Sequence, residues 1–236
     1  MSEYRFNGSS STVIDEGAAG VNGALVGASR QDGALVFDKN NDYVTFPVHP
    51  AHTPRGEFTI SIWSEGNRTN GGGSILSFAG GGSAPEYAIY QRDVTSVDDK
   101  NISIFMLKNP STISLRNMME SASLNHIIYH YKEGRLTLYL DGVEVESADD
   151  IFGPRYTPTE RGLRFGATER TDGGFAQHWG GTLHKVCFYN RGLSVSEIAA
   201  LQGSGKDGSC KEATSLGDAA VAPKNPSNLR LIKPAR

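Results

Sequence analysis

Apolar and polar residues alternate in short runs along most of the chain, with clusters of turn-forming residues between them. In residues 57–63, Phe58, Ile60 and Ile62 fall on one face while Thr59, Ser61 and Trp63 fall on the other, the two-residue period of a β-strand. Residues 33–37 and 43–48 read as a strand pair around the polar stretch 38–42, a hairpin with a longer loop. Further short strands are predicted at 1–6, 74–79, 87–91, 102–107 and 113–115, with glycine runs at 71–73 and 80–82 as loops.

The clearest pattern lies at 124–145. Residues 124–131 and 135–140 pair around Lys132-Glu133-Gly134, and Asp141-Gly142 turns tightly into 143–145, glycine supplying a positive φ without steric cost. Strands at 162–166 and 181–189 bring the set to roughly a dozen, for which a two-layer sandwich is the economical arrangement. One short helix follows. Ser194 and Glu197 have capping-box spacing, Val195, Ile198 and Leu201 can share a face, and Gly203 is a natural stop. From residue 204 the chain holds no aromatic residue and includes Pro223, Pro226 and Pro234. A domain over 1–203 with a linker or docking tail at 204–236 is expected.

Composition agrees with a turn-rich β protein: there are 28 glycines against 4 methionines, and apolar residues make up 38%. Net charge is −3 and no basic block stands out, so nucleic acid is not an expected partner. No apolar run approaches the roughly 18 residues that cross a bilayer, so no membrane insertion is expected. The strand pattern begins at Met1 without a signal peptide, and the expected location is extracellular, on a cell surface or in a virion. Cys187 lies in a strand-like run and Cys210 in a polar stretch. A disulfide between them would pin the start of the tail to the last strand; two thiols are the alternative, and spacing does not choose.

Several segments, in this order, resemble the laminin-G-like jelly-roll family of the concanavalin A-like lectin and glucanase superfamily. They are Tyr4-Arg5-Phe6-Asn7, residues 33–38, Asp42-Tyr43-Val44, residues 58–63, residues 136–142, Leu163-Arg164-Phe165-Gly166, and residues 181–194. The resemblance covers 4–202 and implies an all-β, two-sheet antiparallel jelly-roll sandwich. Two positions depart from it. His184 and Lys185 stand where the family often has an acidic pair, removing oxygen ligands that a calcium ion there would need, and Leu124 stands where a tryptophan commonly opens the strand.

Relatives of this kind include lectins, carbohydrate-binding modules, adhesion domains and phage structural proteins, so the fold alone does not set the function. No strand shows the acidic ladder of a retaining glucanase, whose two carboxyls stand about 5 Å apart. The richest acidic stretch, 144–150, reads as a solvated edge. His126, Tyr129, His130 and Tyr131 are the residue types of a lyase, but alternation puts the histidines and tyrosines on opposite faces. For metal, Asp38-x-Asn40-x-Asp42 offers alternating oxygens; a polar hairpin turn is weighed against a calcium site using Asp38 and Asp42.

Sugars are recognised by aromatic rings against their apolar faces and polar side chains on their hydroxyls. The best loop is 168–179, with Arg170, Asp172, Gln177, His178 and Trp179; Tyr90 and Arg92 form a second cluster, and Arg155-Tyr156 a third. Trp63 reads as packing. Asn7-Gly8-Ser9 and Asn67-Arg68-Thr69 match glycosylation sequons. The leading expectation is a non-catalytic carbohydrate-binding or adhesion module whose partner is a polysaccharide or cell-surface glycan. The alternative is a phage decoration, fibre or tail component that docks on virion or surface proteins through 213–236.

Overall fold

The computed structural model describes residues 1–53, 56–66, 72–79, 85–92, 102–107, 112–117, 123–149, 161–170 and 172–212. Among them the strands run, in chain order, β1 (Ser2–Arg5), β2 (Thr12–Val13), β3 (Gly23–Val26), β4 (Ser29–Gln31), β5 (Ala34–Asp38) and β6 (Tyr43–Thr45). A 3₁₀ turn at Pro50–His52 leads to β7 (Phe58–Gly66), β8 (Gly73–Ala79), β9 (Pro85–Gln91), β10 (Ile102–Leu107) and β11 (Thr112–Asn117). Then come β12 (Leu124–Lys132), β13 (Arg135–Leu140), β14 (Val143–Ala148), β15 (Leu163–Phe165), β16 (Thr168–Glu169), β17 (Phe175–Ala176), β18 (Gly180–Tyr189) and helix α1 (Val195–Ser204).

Two antiparallel sheets face each other. The first has the order β14-β13-β12-β7-β18-β5-β4, with β1 also on β18; the second runs β11-β10-β9-β8-β15-β6-β3-β2. Phe58, Ile60 and Ile62 of β7 point inward as their alternation predicts, and Phe78, Tyr87 and Ile89 meet them from the second sheet. The Phe58 and Tyr87 rings lie 6.0 Å apart. Each such fully buried side chain contributes about 1.5–3 kcal/mol. The hairpin turns predicted in the middle of the chain are present. Glu133-Gly134 (φ 49° and 79°) and Asp141-Gly142 (φ 49° and 80°) both hold two successive positive φ values, the I′ geometry that matches strand twist. No helix among the described residues is long and apolar enough to cross a membrane.

The outer face of the first sheet is covered as well. Ile128, Tyr139, Cys187 and Tyr189 form a second apolar cluster there with Leu193, Ile198, Leu201 and Cys210. The capping box at Ser194 and Glu197 starts the helix above it. Gly203 does not end the helix. It continues to Ser204 and stops at Gly205, whose φ is 66°.

The expected tail boundary at 203 also moves. Residues 205–212 pack back onto the first sheet, because Cys187 and Cys210 form a disulfide and both are fully buried. The Lys185 ammonium donates to the carbonyls of Gly205 and Gly208, the second at 3.0 Å, and the Tyr189 hydroxyl donates to that of Cys210 at 2.6 Å. Residues 213–236, with the docking role expected of them, lie outside the described residues, as do Arg155, Tyr156 and the second sequon.

Candidate functional site

The outer face of the second sheet carries a polar and aromatic layer. In β15, Leu163 and Phe165 join the core while Arg164 points outward between Thr45 of β6 and Ser77 of β8. The β16–β17 hairpin folds back across this face, and Arg164 anchors it. One guanidinium nitrogen donates to the Phe46 and Leu163 carbonyls at 3.0 and 2.9 Å, and the other pairs closely with Glu169. Arg164 is 7% exposed, so losing one member of this pair would leave a shielded charge, at a cost of about 3–5 kcal/mol.

Packing completes the anchor. Phe175 stacks on Tyr43, with centroids 3.9 Å apart and planes 13° from parallel. The Ser77 hydroxyl donates to the Ala167 carbonyl at 2.8 Å, and the hydroxyls of Tyr90 and Thr168 lie 3.3 Å apart. The tip, by contrast, faces solvent. Arg170 and Asp172 have side chains 60% and 59% exposed and pair at 3.3 Å. The Gly174 N–H donates to the Asp172 carboxylate at 2.9 Å, and the Arg170 N–H to the Gly174 carbonyl at 2.7 Å, which fixes the turn. Gln177 is exposed at φ 52°, a conformation uncommon for a residue with a Cβ.

The candidate binding residues therefore divide. Tyr90, Arg170, Asp172 and Gln177 come together on one side of the second sheet, and Arg92 is exposed just beyond the end of β9. His178 is half-buried, and its Nδ1 lies 3.4 Å from the Asp42 carbonyl. Trp179, which the sequence leaves open between ligand contact and packing, is fully buried. Its Nε1–H donates to the Gln91 side-chain oxygen at 2.7 Å, and its ring packs 5.5 Å from Phe37. Residues 178 and 179 pass so close to Gly73 that a Cβ there would meet their backbone, and this approach leaves the indole on the core side.

Sequence reasoning passed over Tyr43 and Arg164, the two residues that hold the hairpin. The signal for Arg164 was available, since a charge between two apolar strand residues must face away from the core.

In the 38–42 turn the Asp38 and Asp42 carboxylates each accept a backbone N–H of the turn. Asp42 is 4% exposed and spends one carboxylate oxygen on the Asp38 N–H at 2.8 Å; burial raises its pKa. Asp38 caps the Asn40 N–H at 2.8 Å. Among the described residues no three His, Cys, Asp or Glu side chains converge as ligands. This is a self-bonded turn.

The candidate lyase strand separates its parts. His126 faces the outer side of the first sheet, against Ser61 and Gln202, while Tyr129 is buried in the core beside Phe58. The acidic stretch on the β14 edge is a solvated ion-pair set, Arg135 with Glu144 at 2.7 Å and with Asp149 at 2.9 Å.

A family model described as the concanavalin A-like lectin/glucanases superfamily matches residues 38–199. No curated protein matches the chain by sequence. Among solved structures, domain 4 of an extracellular arabinanase from Geobacillus stearothermophilus, in complex with arabinotriose, superposes with a TM-score of 0.63 at 15% identity, over 85% of this chain and 97% of that one. Trypanosoma rangeli sialidase in complex with sialic acid gives 0.63 at 17% identity, over 85% of this chain and 32% of the enzyme. Botulinum neurotoxin type C, whose cell entry depends upon interaction with two ganglioside molecules, gives 0.67 at 9% identity, over 86% and 50%. The chain thus spans a third to a half of the sialidase and neurotoxin chains. At these identities the likeness is one of fold.

Proposed function

The chain belongs to the concanavalin A-like lectin/glucanase superfamily, and from that premise we propose that it is a non-catalytic carbohydrate-binding module for an extracellular polysaccharide or cell-surface glycan. Contact is made through the β16–β17 tip and the neighbouring Tyr90. The observation that carries this reading is the contrast within one hairpin. Its base is locked by Tyr43–Phe175 and Arg164–Glu169, while its tip presents Arg170 and Asp172 to solvent and Gln177 is exposed just past the base. A tip fixed in advance loses little conformational entropy on binding, and its side chains both donate to and accept from hydroxyls. Tyr90 adds a half-buried ring beside it.

An enzyme has less support. Glu169 is held by Arg164, and the histidines and tyrosines of β12 do not meet. The arabinanase domain, similar over nearly its whole length, was solved with arabinotriose, and the neurotoxin interacts with gangliosides, so arabinan and sialylated ganglioside glycans are the first probes.

Affinity electrophoresis in arabinan gels and a glycan array test the proposal. Saturable binding, weakened tenfold or more in Arg170→Ala with unchanged thermal stability, supports it. Absence of binding to either class, or a cleaved product from the polysaccharide, overturns it.

A further inference from the structure

A second polar feature lies at the other end of β5. Along one edge β18 changes neighbours: β5 pairs with Gly180–Leu183, and β1 pairs with Lys185–Phe188. The β7 ladder on its opposite edge slips register at the same place. The seam falls at His184. There the chain parts around a cleft of about 170 Å³ lined by Arg5, Asn7, Asp32, His184, Lys206 and Asp207.

The wall carrying Lys206 and Asp207 is fastened on both sides. Lys185 holds the carbonyls of Gly205 and Gly208, and the disulfide fixes Cys210. On the opposite wall, Asp32 and Gly33 occupy a tight turn with φ 49° and 75°, which fixes the backbone that carries the exposed Asp32 carboxylate.

We infer that this cleft is a second carbohydrate subsite that takes one neutral sugar ring by its neighbouring hydroxyls, an inference that rests on the glycan-binding reading above. The cations of the cleft carry their own counter-ions. Arg5 pairs with Glu3 and Lys206 with Asp207, each at 2.9 Å, and the His184 ring hydrogen-bonds Glu65 at 2.9 Å. A charged ligand therefore gains little net attraction. Asn7 and Asp32, in contrast, make no side-chain hydrogen bond among the described residues, although Asn7 Oδ1 stands close over Gly33.

A carboxylate that accepts two hydroxyl protons beside an amide that both donates and accepts is the complement of a vicinal diol. The volume is below the roughly 300 Å³ at which sites for drug-sized ligands begin, which suits one ring and not an oligosaccharide.

Amide NMR titrations of the full chain with methyl arabinofuranoside, methyl galactoside, methyl glucoside and glucuronate test this, in the wild type, Asp32→Asn and Arg170→Ala. Asn tolerates positive φ, so Asp32→Asn keeps the turn. Saturable shifts at Asn7, Gly33 and His184, weakened at least tenfold in Asp32→Asn and unchanged in Arg170→Ala, are expected. Shifts confined to the hairpin and lost in Arg170→Ala overturn the cleft and leave the module standing. Tighter binding of glucuronate at the cleft overturns the neutral-ring assignment. No shift with any sugar, together with no array binding, removes both readings.

Discussion

The imidazole of His126 lies flat against the indole of Trp63, with centroids 4.4 Å apart and planes 5° from parallel. Its Nδ1–H donates to Gln202 of α1 at 2.5 Å, and Ser61 donates to Nε2 at 2.7 Å, an arrangement that needs the neutral ring. The Lys185 ammonium lies 5.9 Å from the same indole.

Burial above all, with Lys185 in support, pushes the His126 pKa down to about 4 against the Gln202 hydrogen bond, and burial holds His52 near 3. Below pH 6.5 the unfolded chain takes up protons that the folded chain refuses, so stability is full above that value and falls as the pH drops toward 4. His126 alone accounts for a loss on the order of 3 kcal/mol. Urea midpoints between pH 7 and 4 should fall, and the His126 ring resonances should not titrate above pH 5; a titration near 6.5 would contradict this.

Glu197 receives two hydrogen bonds from Arg191, at 3.0 and 2.6 Å, and one from the Ser194 N–H at 2.7 Å. Arg191 first, and then Ser194, hold its pKa down to about 2. The folded carboxylate is the favoured form, so its contribution is present above about pH 4.5 and is lost as the pH falls toward 2. Glu197→Gln is expected to cost about 1–3 kcal/mol at pH 7 and to flatten the acid limb of the stability profile. Equal urea midpoints for variant and wild type at pH 7 would show that the cap is dispensable.

The disulfide closes a loop with a sequence separation of 23, for which chain entropy gives about 3 kcal/mol. Cys187→Ala/Cys210→Ala, or treatment with dithiothreitol, should lower the melting temperature and quench less of the Trp63 emission as residues 205–212 lift. An unchanged melting temperature under full reduction would refute the latch.

Trp179→Ala should cost about 3–5 kcal/mol through the cavity it opens. Arg170→Ala, on the exposed tip, should change stability by less than about 0.5 kcal/mol. If Trp179→Ala folds as well as the wild type, the indole is not the core residue described.

What the sequence revealed follows the length of each pattern. β7 and β12 each run nine residues, long enough for a strand pattern to show, so they and their partners were legible. β2, β3 and β4 have two, four and three residues, too few for a period to declare itself. The β16–β17 hairpin read as loop for the same reason: each strand has two residues and is held by side chains from a different part of the chain. Trp179 was ambiguous because a tryptophan in a polar stretch suits either a ligand or Gln91, and only the approach to Gly73 decides. The cleft at His184 was not legible at all, since it arises from a change of partner along β18.

Glu3 accepts the Cys210 N–H at 3.2 Å and the Ser209 hydroxyl at 3.1 Å, so the first strand and the last packed segment are sewn side by side. A short linker from residue 212 to residue 1, with new ends cut at Glu133-Gly134, would yield a circular permutant with every ladder but one hairpin turn intact. The same closeness governs tethering. The chain enters at residue 1 and leaves the described fold at residue 212 over the first sheet, so the hairpin tip lies on the side away from both.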